Sequence, residues 1–354
     1  MSEERHQAQL FLTPAEIEQV VRHHYGRLVV GQQRLGGEVD QNVWISTADG
    51  AEYLFKATRG HIDQNLRWQQ RVLDHLRDDA PELPVPRLIM SCSGSEMVSL
   101  EVEARPVVAR LMTWLHGEML AEVNEVPHAL LVQLGGVAGR LTQSLGRLDA
   151  DPEGLSHHWD IRRSGEAVRD ALPFVSDEDD RRCVVELMHW YDTVQPRLER
   201  LPEGVVHQDL NDFNVLASPD ENGEYRISGI LDINDSLRTV RVAELAIAVA
   251  YAMLRRRDPL EAAASVVEGF HAVARLSDDE ISVVFPLAVA RLCVNATTWT
   301  RRTKESHHPY GEDRMRHTWP TLRTLVEVSP RDAEAKFRAA CRKAETNTRL
   351  RGNP

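Results

Sequence analysis

The sequence predicts an α+β protein in two lobes, a small β-rich N-terminal lobe over residues 1–114 and a mostly helical C-terminal lobe over residues 115–354. Three observations predict it. Short β-prone runs broken by glycines fill the first third of the chain. From Gly117 onward the apolar residues recur at helical spacing instead. A single strong hairpin signal, Asn222-Gly223, interrupts that helical part. The length of 354 residues is enough to bury a sizeable core in each lobe. Apolar residues at 42% and charged residues at 27% place the chain among globular proteins.

Residues 1–10 are polar and are expected to fray. Thr13-Pro14-Ala15-Glu16 then reads as a capping box with proline at the first helical position. Ile17, Val20, Val21 and His24 follow at helical spacing, so a short helix opens the fold. Leu28 to Val30, Val39 to Thr47 and Tyr53 to Thr58 read as strands, separated by Gly31, Gly36-Gly37 and Asp49-Gly50. Asp-Gly favours a tight hairpin. Gly36-Gly37 reads equally as a phosphate cover made of backbone N–H groups or as a plain turn. Ile62 to Arg77 reads as a helix with Ile62, Leu66, Leu73 and Leu76 on one face. Two more strands are expected near Glu96 to Val102 and Pro106 to Trp114, and the lobe junction at Arg105 to Gly117.

In the second lobe, Leu130, Leu134, Val137, Leu141 and Leu145 keep helical spacing, as do Val184, Leu187, Tyr191, Val194 and Leu198. The stretches Val240 to Leu254 and Ile281 to Thr300 are apolar enough to be core helices. The tail from Arg342 onward is polar and is expected to be unstructured.

Charge and cysteine content narrow the function classes. The net charge of −12 and the absence of any sustained basic face speak against nucleic-acid binding. Arg255 to Arg257 and the cluster at 301–304 read as solvated helix ends. An acidic balance suits a cationic small substrate. Cys92, Cys183, Cys293 and Cys341 are scattered with no paired spacing, which predicts free thiols, no zinc site and a cytoplasmic setting. No signal-peptide pattern and no membrane-spanning apolar run are read. His23-His24, His157-His158 and His307-His308 lack partners at ligand spacing and read as surface histidines.

The chemistry concentrates in two runs, Val205 to Leu216 and Tyr225 to Asp232. Val215 to Ala217 and Tyr225 to Leu231 are strand-like, with Asp220-Glu221-Asn222-Gly223 between them. A hairpin there brings its open ends together, so Asn214 before the first strand meets Asp232 after the second, 18 positions later (232 − 214). An amide oxygen beside a carboxylate is a hard-oxygen pair suited to Mg²⁺, which takes its remaining ligands from water and phosphates. Asp209 lies five residues before Asn214, on the loop entering the hairpin, where it can reach a hydroxyl beside a metal-bound phosphate. Asp212 and Asp235 read as acids that attract a cationic substrate or support the metal ligands, or that merely solvate the loop.

The spacing His-x-Asp-Leu-x-x-x-x-Asn, with an apolar strand ending in Asp232 23 residues after Asp209 (232 − 209), resembles the catalytic core of the protein-kinase-like superfamily, in its aminoglycoside phosphotransferase and choline kinase branch. Only twelve positions separate Asp232 from Glu244 (244 − 232), too few for the activation segment of a protein kinase. Within the branch the chain is most similar to the hydroxylysine kinase family, through the runs 209–214, 224–232, 244–248 and 108–117. The resemblance implies a bilobal kinase fold, Mg²⁺, and GTP or ATP as co-substrate, the family being associated with GTP. It implies a small acceptor carrying an amine and a hydroxyl. Position by position, Lys56 matches the strand lysine on the nucleotide phosphates, and Trp114 at the lobe junction is expected to face the nucleotide base. Glu244 matches the helix acid that braces the catalytic loop, His207 the residue that holds it, and Asn211 and Asp212 the acceptor side.

Three positions depart from the family pattern. Gln208 stands where glycine is usual, and a positive φ there would strain glutamine. Ile233-Asn234 replaces Phe-Gly, a milder change because asparagine tolerates positive φ. Arg67 stands where a helix glutamate would pair with Lys56, and Asp63, one turn earlier, is the candidate substitute. The competing readings are an aminoglycoside-, choline- or homoserine-type kinase, and a nucleotide-binding pseudokinase.

Overall fold

The computed structural model describes residues 12–37, 39–150, 157–306 and 315–351. The polar N-terminal decamer and the pair His307-His308 lie outside them. The chain forms two compact units, Met1–Asp78 with Val85–Leu115, and Asp79–Pro84 with His116–Pro354.

In the first unit, helix α1 (Pro14–Tyr25) starts at the expected capping box, in which the Thr13 hydroxyl accepts from Glu16 N–H and the Glu16 carboxylate accepts from Thr13 N–H. It ends at Gly26, whose φ of 64° suits a glycine C-cap. Strands β1 (Val29–Arg34), β2 (Gln41–Thr47), β3 (Glu52–Arg59), β4 (Val98–Val102) and β5 (Arg105–Thr113) make one antiparallel sheet in the order β1-β2-β3-β5-β4. The Asp49-Gly50 turn closes the β2–β3 hairpin, with Gly50 at φ 83°. Alternation sorts the sheet into two faces. Val43, Ile45, Phe55, Ala57, Ala109 and Leu111 pack with Ile17, Val21 and Tyr25 of α1. Val108 lies on the other face, with Met97 and with Leu66 of helix α2 (Gln64–Asp79).

The second unit opens with residues 79–84, tied in by the Asp79 carboxylate, which accepts from Ser144 Oγ at 2.6 Å and Arg147 Nε at 3.0 Å. It holds strands β6 (Glu118–Met119), β7 (Glu203–Val206), β8 (Val215–Pro219), β9 (Tyr225–Ile230) and β10 (Leu237–Val240), paired as β6-β8-β9 and β10-β7. Its helices are α3 (His128–Leu145), α4 (Ser164–Ala171), α5 (Glu178–Val194), α6 (Val242–Ala252), α7 (Pro259–Val273), α8 (Asp278–Ser306), α9 (Thr318–Leu325) and α10 (Pro330–Arg351). Every residue of α6 is buried, as its unbroken apolar run requires. The part of the expected polar tail that is described, residues 342–351, is instead the C-terminal part of α10, where Ala344 is 2% exposed. Ala333, Phe337, Ala340, Cys341 and Ala344 make one buried stripe of an otherwise charged helix.

Contrary to the reading that no apolar run is long enough to span a membrane, the stretch Asp278–Glu305 of α8 meets that criterion, and 94% of its most apolar window is buried inside the protein. It serves as a core helix, packed by α4, α5 and α6.

Helices α3 and α7 approach so closely that only glycine fits at the crossing. A Cβ on Gly269 would lie 1.9 Å from Val132 O, and one on Gly135 1.9 Å from Val266 O. Gly269→Ala is therefore expected to lower stability by about 3 kcal/mol, since overpacking against backbone cannot relax by rotamer change. Urea unfolding of the variant beside the parent measures it.

Candidate active site

The hairpin read from Asn222-Gly223 forms as β8 and β9, in antiparallel register Val215↔Ile230. Gly223 takes φ 79°, and the Asp220 carboxylate accepts from the N–H groups of Asn222 and Glu224 to fix the turn. Leu231 N–H continues the ladder to Asn214 O at 2.7 Å. Asn214 and Asp232 thus leave the open end of one hairpin side by side along the backbone. A second pairing, Leu237↔Val206 between β10 and β7, grips the outer ends of the same two loops. Residues 207–214 and 231–236 are consequently anchored at both ends.

The two loops are then stapled to each other. His207, 1% exposed, donates from Nε2 to Leu231 O at 2.9 Å and accepts Asp209 N–H on Nδ1 at 3.2 Å. With Nδ1 accepting, the proton sits on Nε2 of a neutral ring. Burial pushes the imidazole below its usual range, more than the nearby Asp209 and Asp232 raise it. The His207 N–H donates to Glu244 Oε2 at 2.6 Å. Glu244 is fully buried on α6, and burial pushes its carboxyl up to about 7 against the opposing pull of the His207 and Gln208 N–H groups. Glu244 on α6 and His207 are thus joined through the His207 N–H, and the His207 ring bridges residues 209 and 231.

Asp209 is held on both carboxylate oxygens. Oδ1 accepts from Asn211 Nδ2 at 2.9 Å and from Arg291 at 2.7 Å; Oδ2 accepts from Asn214 Nδ2 at 2.7 Å. The Asn214 amide nitrogen is thereby spent on Asp209, which takes no part of its amide oxygen. Asp232 is exposed, with φ 57°. The positive φ thus falls on Asp232 itself, whereas Asn234 lies in a 3₁₀ turn over Ile233–Asp235. The replacement of Phe-Gly by Ile233-Asn234 accordingly costs no backbone strain. Gln208 does adopt φ 69°, fully buried, with Nε2 donating to Trp159 O at 2.9 Å and Oε1 without a partner. Strain at this position is real, and the one hydrogen bond offsets part of it.

The residues assigned to the acceptor side are matched to partners within the protein. Asn211 is buried and turns its Oδ1 back to the N–H groups of Phe213 and Asn214, so it shapes the loop. Asp212, 2% exposed, forms an ion pair with Arg255. Arg255 is therefore no solvated helix end, and the Asp212 charge is already met. Burial lowers the Arg255 guanidinium to about 10. Asp235 pairs with His157 at 2.9 Å. Burial pushes the Asp235 carboxyl up, but His157, Arg291 and His207 together outweigh it and hold it below the usual range. Of the pair read as surface histidines, His158 is exposed and reaches Thr298 Oγ1 at 2.9 Å, whereas His157 is partly buried against Asp235.

In the first unit Lys56 lies on β3, with Nζ 3.0 Å from Asp40 Oδ2. The acid beside it thus comes from the turn before β2. Asp63 instead caps α2, accepting Leu66 N–H at 2.9 Å, and Arg67 is exposed, away from the inward face formed by Leu66, Trp68, Gln69, Val72, Leu73 and Leu76. Trp114 follows β5, half-exposed, its N–H donating to Glu52 O at 3.4 Å.

Sequence reasoning missed Arg291, Trp159, Asp40, Arg255 and His157. Arg291 left a trace: a lone arginine inside the apolar run of α8. It is 2% exposed, stacks 4.7 Å from the Trp159 ring, and donates to Trp159 O and Asp209. Burial opposes its charge, and Tyr251 and Asp209 more than restore it. Asp40 left no such trace, because its pairing depends on strand register.

Comparison with known proteins identifies the family and the fold. Residues 31–279 match the model of a family described as the phosphotransferase enzyme family, APH. Hydroxylysine kinase from Xenopus laevis is 27% identical over 94% of this chain and 96% of its own length. Hydroxylysine kinase from Danio rerio is 25% identical over 80% of this chain and 82% of its own. Among solved structures, an amicoumacin kinase in complex with AMP-PNP, Ca²⁺ and its ligand superimposes with a TM-score of 0.65 at 14% identity, over 90% of this chain and 94% of that one. The protein-kinase-like fold expected from the sequence is the fold these share.

Two outcomes follow from the geometry. Glu244 carries a folded-state pKa above its unfolded value, so its stabilising contribution is full below pH about 4.5 and is lost as pH rises through about 7. Relative to Glu244→Gln, the parent chain should lose stability between pH 5 and pH 8, as read by urea unfolding at each pH. Arg291→Met strips the guanidinium from Asp209 and should cost about 3 kcal/mol. Arg291→Lys should recover less than about half of that, because an ammonium cannot stack on Trp159 and serve both acceptors.

Proposed function

Because the chain belongs to the phosphotransferase enzyme family, and so transfers phosphoryl groups to an alcohol, we propose that it moves the γ-phosphoryl group of GTP or ATP onto the hydroxyl of a small, amine-bearing, hydroxylysine-like acceptor. One observation carries the reading: the β8–β9 register and the His207 bridge place Asp209, Asn214 and Asp232 on two adjoining, doubly anchored loop ends. The similarity to hydroxylysine kinases over most of the chain supports the acceptor class.

In this reaction the acceptor oxygen bonds to the γ-phosphorus as the bond to the β-phosphate oxygen breaks, and the acceptor proton leaves toward Asp209. Asp209 is suited to orient the hydroxyl, since Arg291 and Asn211 hold one carboxylate oxygen and Asn214 the other. The Asn214 amide oxygen and the Asp232 carboxylate would hold Mg²⁺, and as hard oxygen donors they fit it. When bound, that ion supplies charge neutralisation at the phosphates. Lys56 steadies the nucleotide phosphates as a point charge, and Trp114 offers a ring to the base. Asp235 and its partner His157 border the acceptor side. The four free cysteines support a reducing, cytoplasmic setting, and the net charge of −12 favours a small cationic acceptor over nucleic acid or an anionic membrane surface.

A coupled assay tests the reading with hydroxylysine, ethanolamine, choline, homoserine and an aminoglycoside, each with ATP and with GTP. Turnover should be highest with hydroxylysine. Asp209→Ala should lower kcat by about a thousandfold with that acceptor. Retention of more than about a tenth of the parent's turnover would contradict the assignment. Nucleotide binding by calorimetry with no turnover of any acceptor would favour the pseudokinase alternative, for which the strained Gln208 is the structural argument.

A further inference from the structure

Lys56 and Arg110 face each other across β3 and β5, in register and on the face that also carries Val108. Both are buried, at 8% and 2% exposure. Two cations on directly opposed positions of one sheet face repel. The first two turns of α2, Gln64 to Arg71, contain no acid that could separate them, and Asp63 is engaged in capping. Gln69 is what the helix sends inward, and it accepts from Arg110 at 2.7 Å. The compensating charge comes instead from Asp40, just before β2 and 6% exposed. Its Oδ2 lies 3.0 Å from Lys56 Nζ and 3.7 Å from Arg110, while Oδ1 accepts from Thr58 Oγ1 at 2.7 Å. Thr58 also accepts from Arg110 at 3.1 Å. Burial raises the Asp40 carboxyl, but Lys56, Arg110 and Thr58 together hold it below the usual range.

We propose that Asp40 is the positioning residue for Lys56, supplying from the turn before β2 the carboxylate that a helix glutamate would otherwise provide. The inference rests on the phosphotransferase reading, in which Lys56 meets the nucleotide phosphates. A lysine ammonium on a four-carbon stem has no preferred direction of its own. A carboxylate fixed by Thr58 and shared with Arg110 gives it one. Arg67 is thereby excused from that role, and the chain needs no acid on the inner face of α2.

The charge effect and the positioning effect are separated by reading nucleotide affinity and the transfer rate independently. Removing an acid beside a phosphate-binding lysine does not weaken ground-state attraction for the phosphates, whereas losing the direction of the ammonium slows the transfer. Asp40→Asn should therefore lower kcat by about tenfold or more while the nucleotide Kd, by calorimetry, stays within about threefold. Asp40→Asn also leaves Arg110 buried beside Lys56, so the same substitution is made in an Arg110→Met chain. There it should still lower kcat by about tenfold relative to Arg110→Met alone. Asp40→Glu, which keeps the charge, should recover part of the loss in either chain.

Two results would overturn the proposal. One is a kcat within about twofold of the parent for Asp40→Asn in both backgrounds. The other is a loss that disappears once Arg110 is removed, which would make Asp40 the partner of Arg110 alone. Failure of the kinase reading shows separately, as absence of turnover by the parent chain.

Discussion

The site depends on a buried carboxylate behind the catalytic loop. Glu244 sits on a helix with no exposed face and accepts the N–H of His207. His207 in turn holds Asp209 N–H on one ring nitrogen and Leu231 O on the other. A five-atom ring thus joins the two loops that carry Asp209, Asn214 and Asp232. Without the acid, the loop's first N–H groups would be buried donors with no acceptor, which costs more than the bond itself is worth. Burial raises the carboxyl to about 7, so the brace is itself a source of pH dependence. A helix packed on all sides is what keeps the acid from moving to meet water instead.

Within each unit, charge is matched pair by pair. Arg291 meets Asp209, Arg255 meets Asp212, His157 meets Asp235, and Asp40 stands between Lys56 and Arg110. Breaking a pair of this kind leaves an uncompensated buried charge, so the partners hold one another in place more firmly than exposed ion pairs do. For phosphoryl transfer this is useful, because there is little covalent work for the protein and most of the effect comes from fixed charges in fixed directions. The strained φ of Gln208 fits the same picture: its buried amide spans to Trp159 O, the carbonyl that Arg291 also uses. The loop, Trp159 and α8 are therefore tied through one acceptor.

Short-range features were legible in the sequence. The capping box at Thr13, the turns at Asp49-Gly50 and Asn222-Gly223, and the apolar runs of α6 and α8 act through neighbours within a few residues, and each formed as read. The hairpin alone predicted that Asn214 and Asp232 would meet. The helices α7 and α10 were passed over. The first is rich in alanine, with Gly269 at its crossing with α3, and the second has a sparse apolar stripe among charges. Small residues and sparse stripes carry weak periodicity even where packing makes the helix.

What the sequence by itself determined was the local order of the site: a loop, a hairpin, and three oxygen-bearing side chains at its open end. The tertiary structure alone decided which charge answers which. Arg291 reaches Asp209 across 82 positions, and Asp40 reaches Lys56 through strand register and through a helix that offers no acid on its inner face. Pairings of that range leave no periodic mark on the chain, because what selects them is the cost of leaving a charge buried without a partner, and burial exists only once the fold has closed.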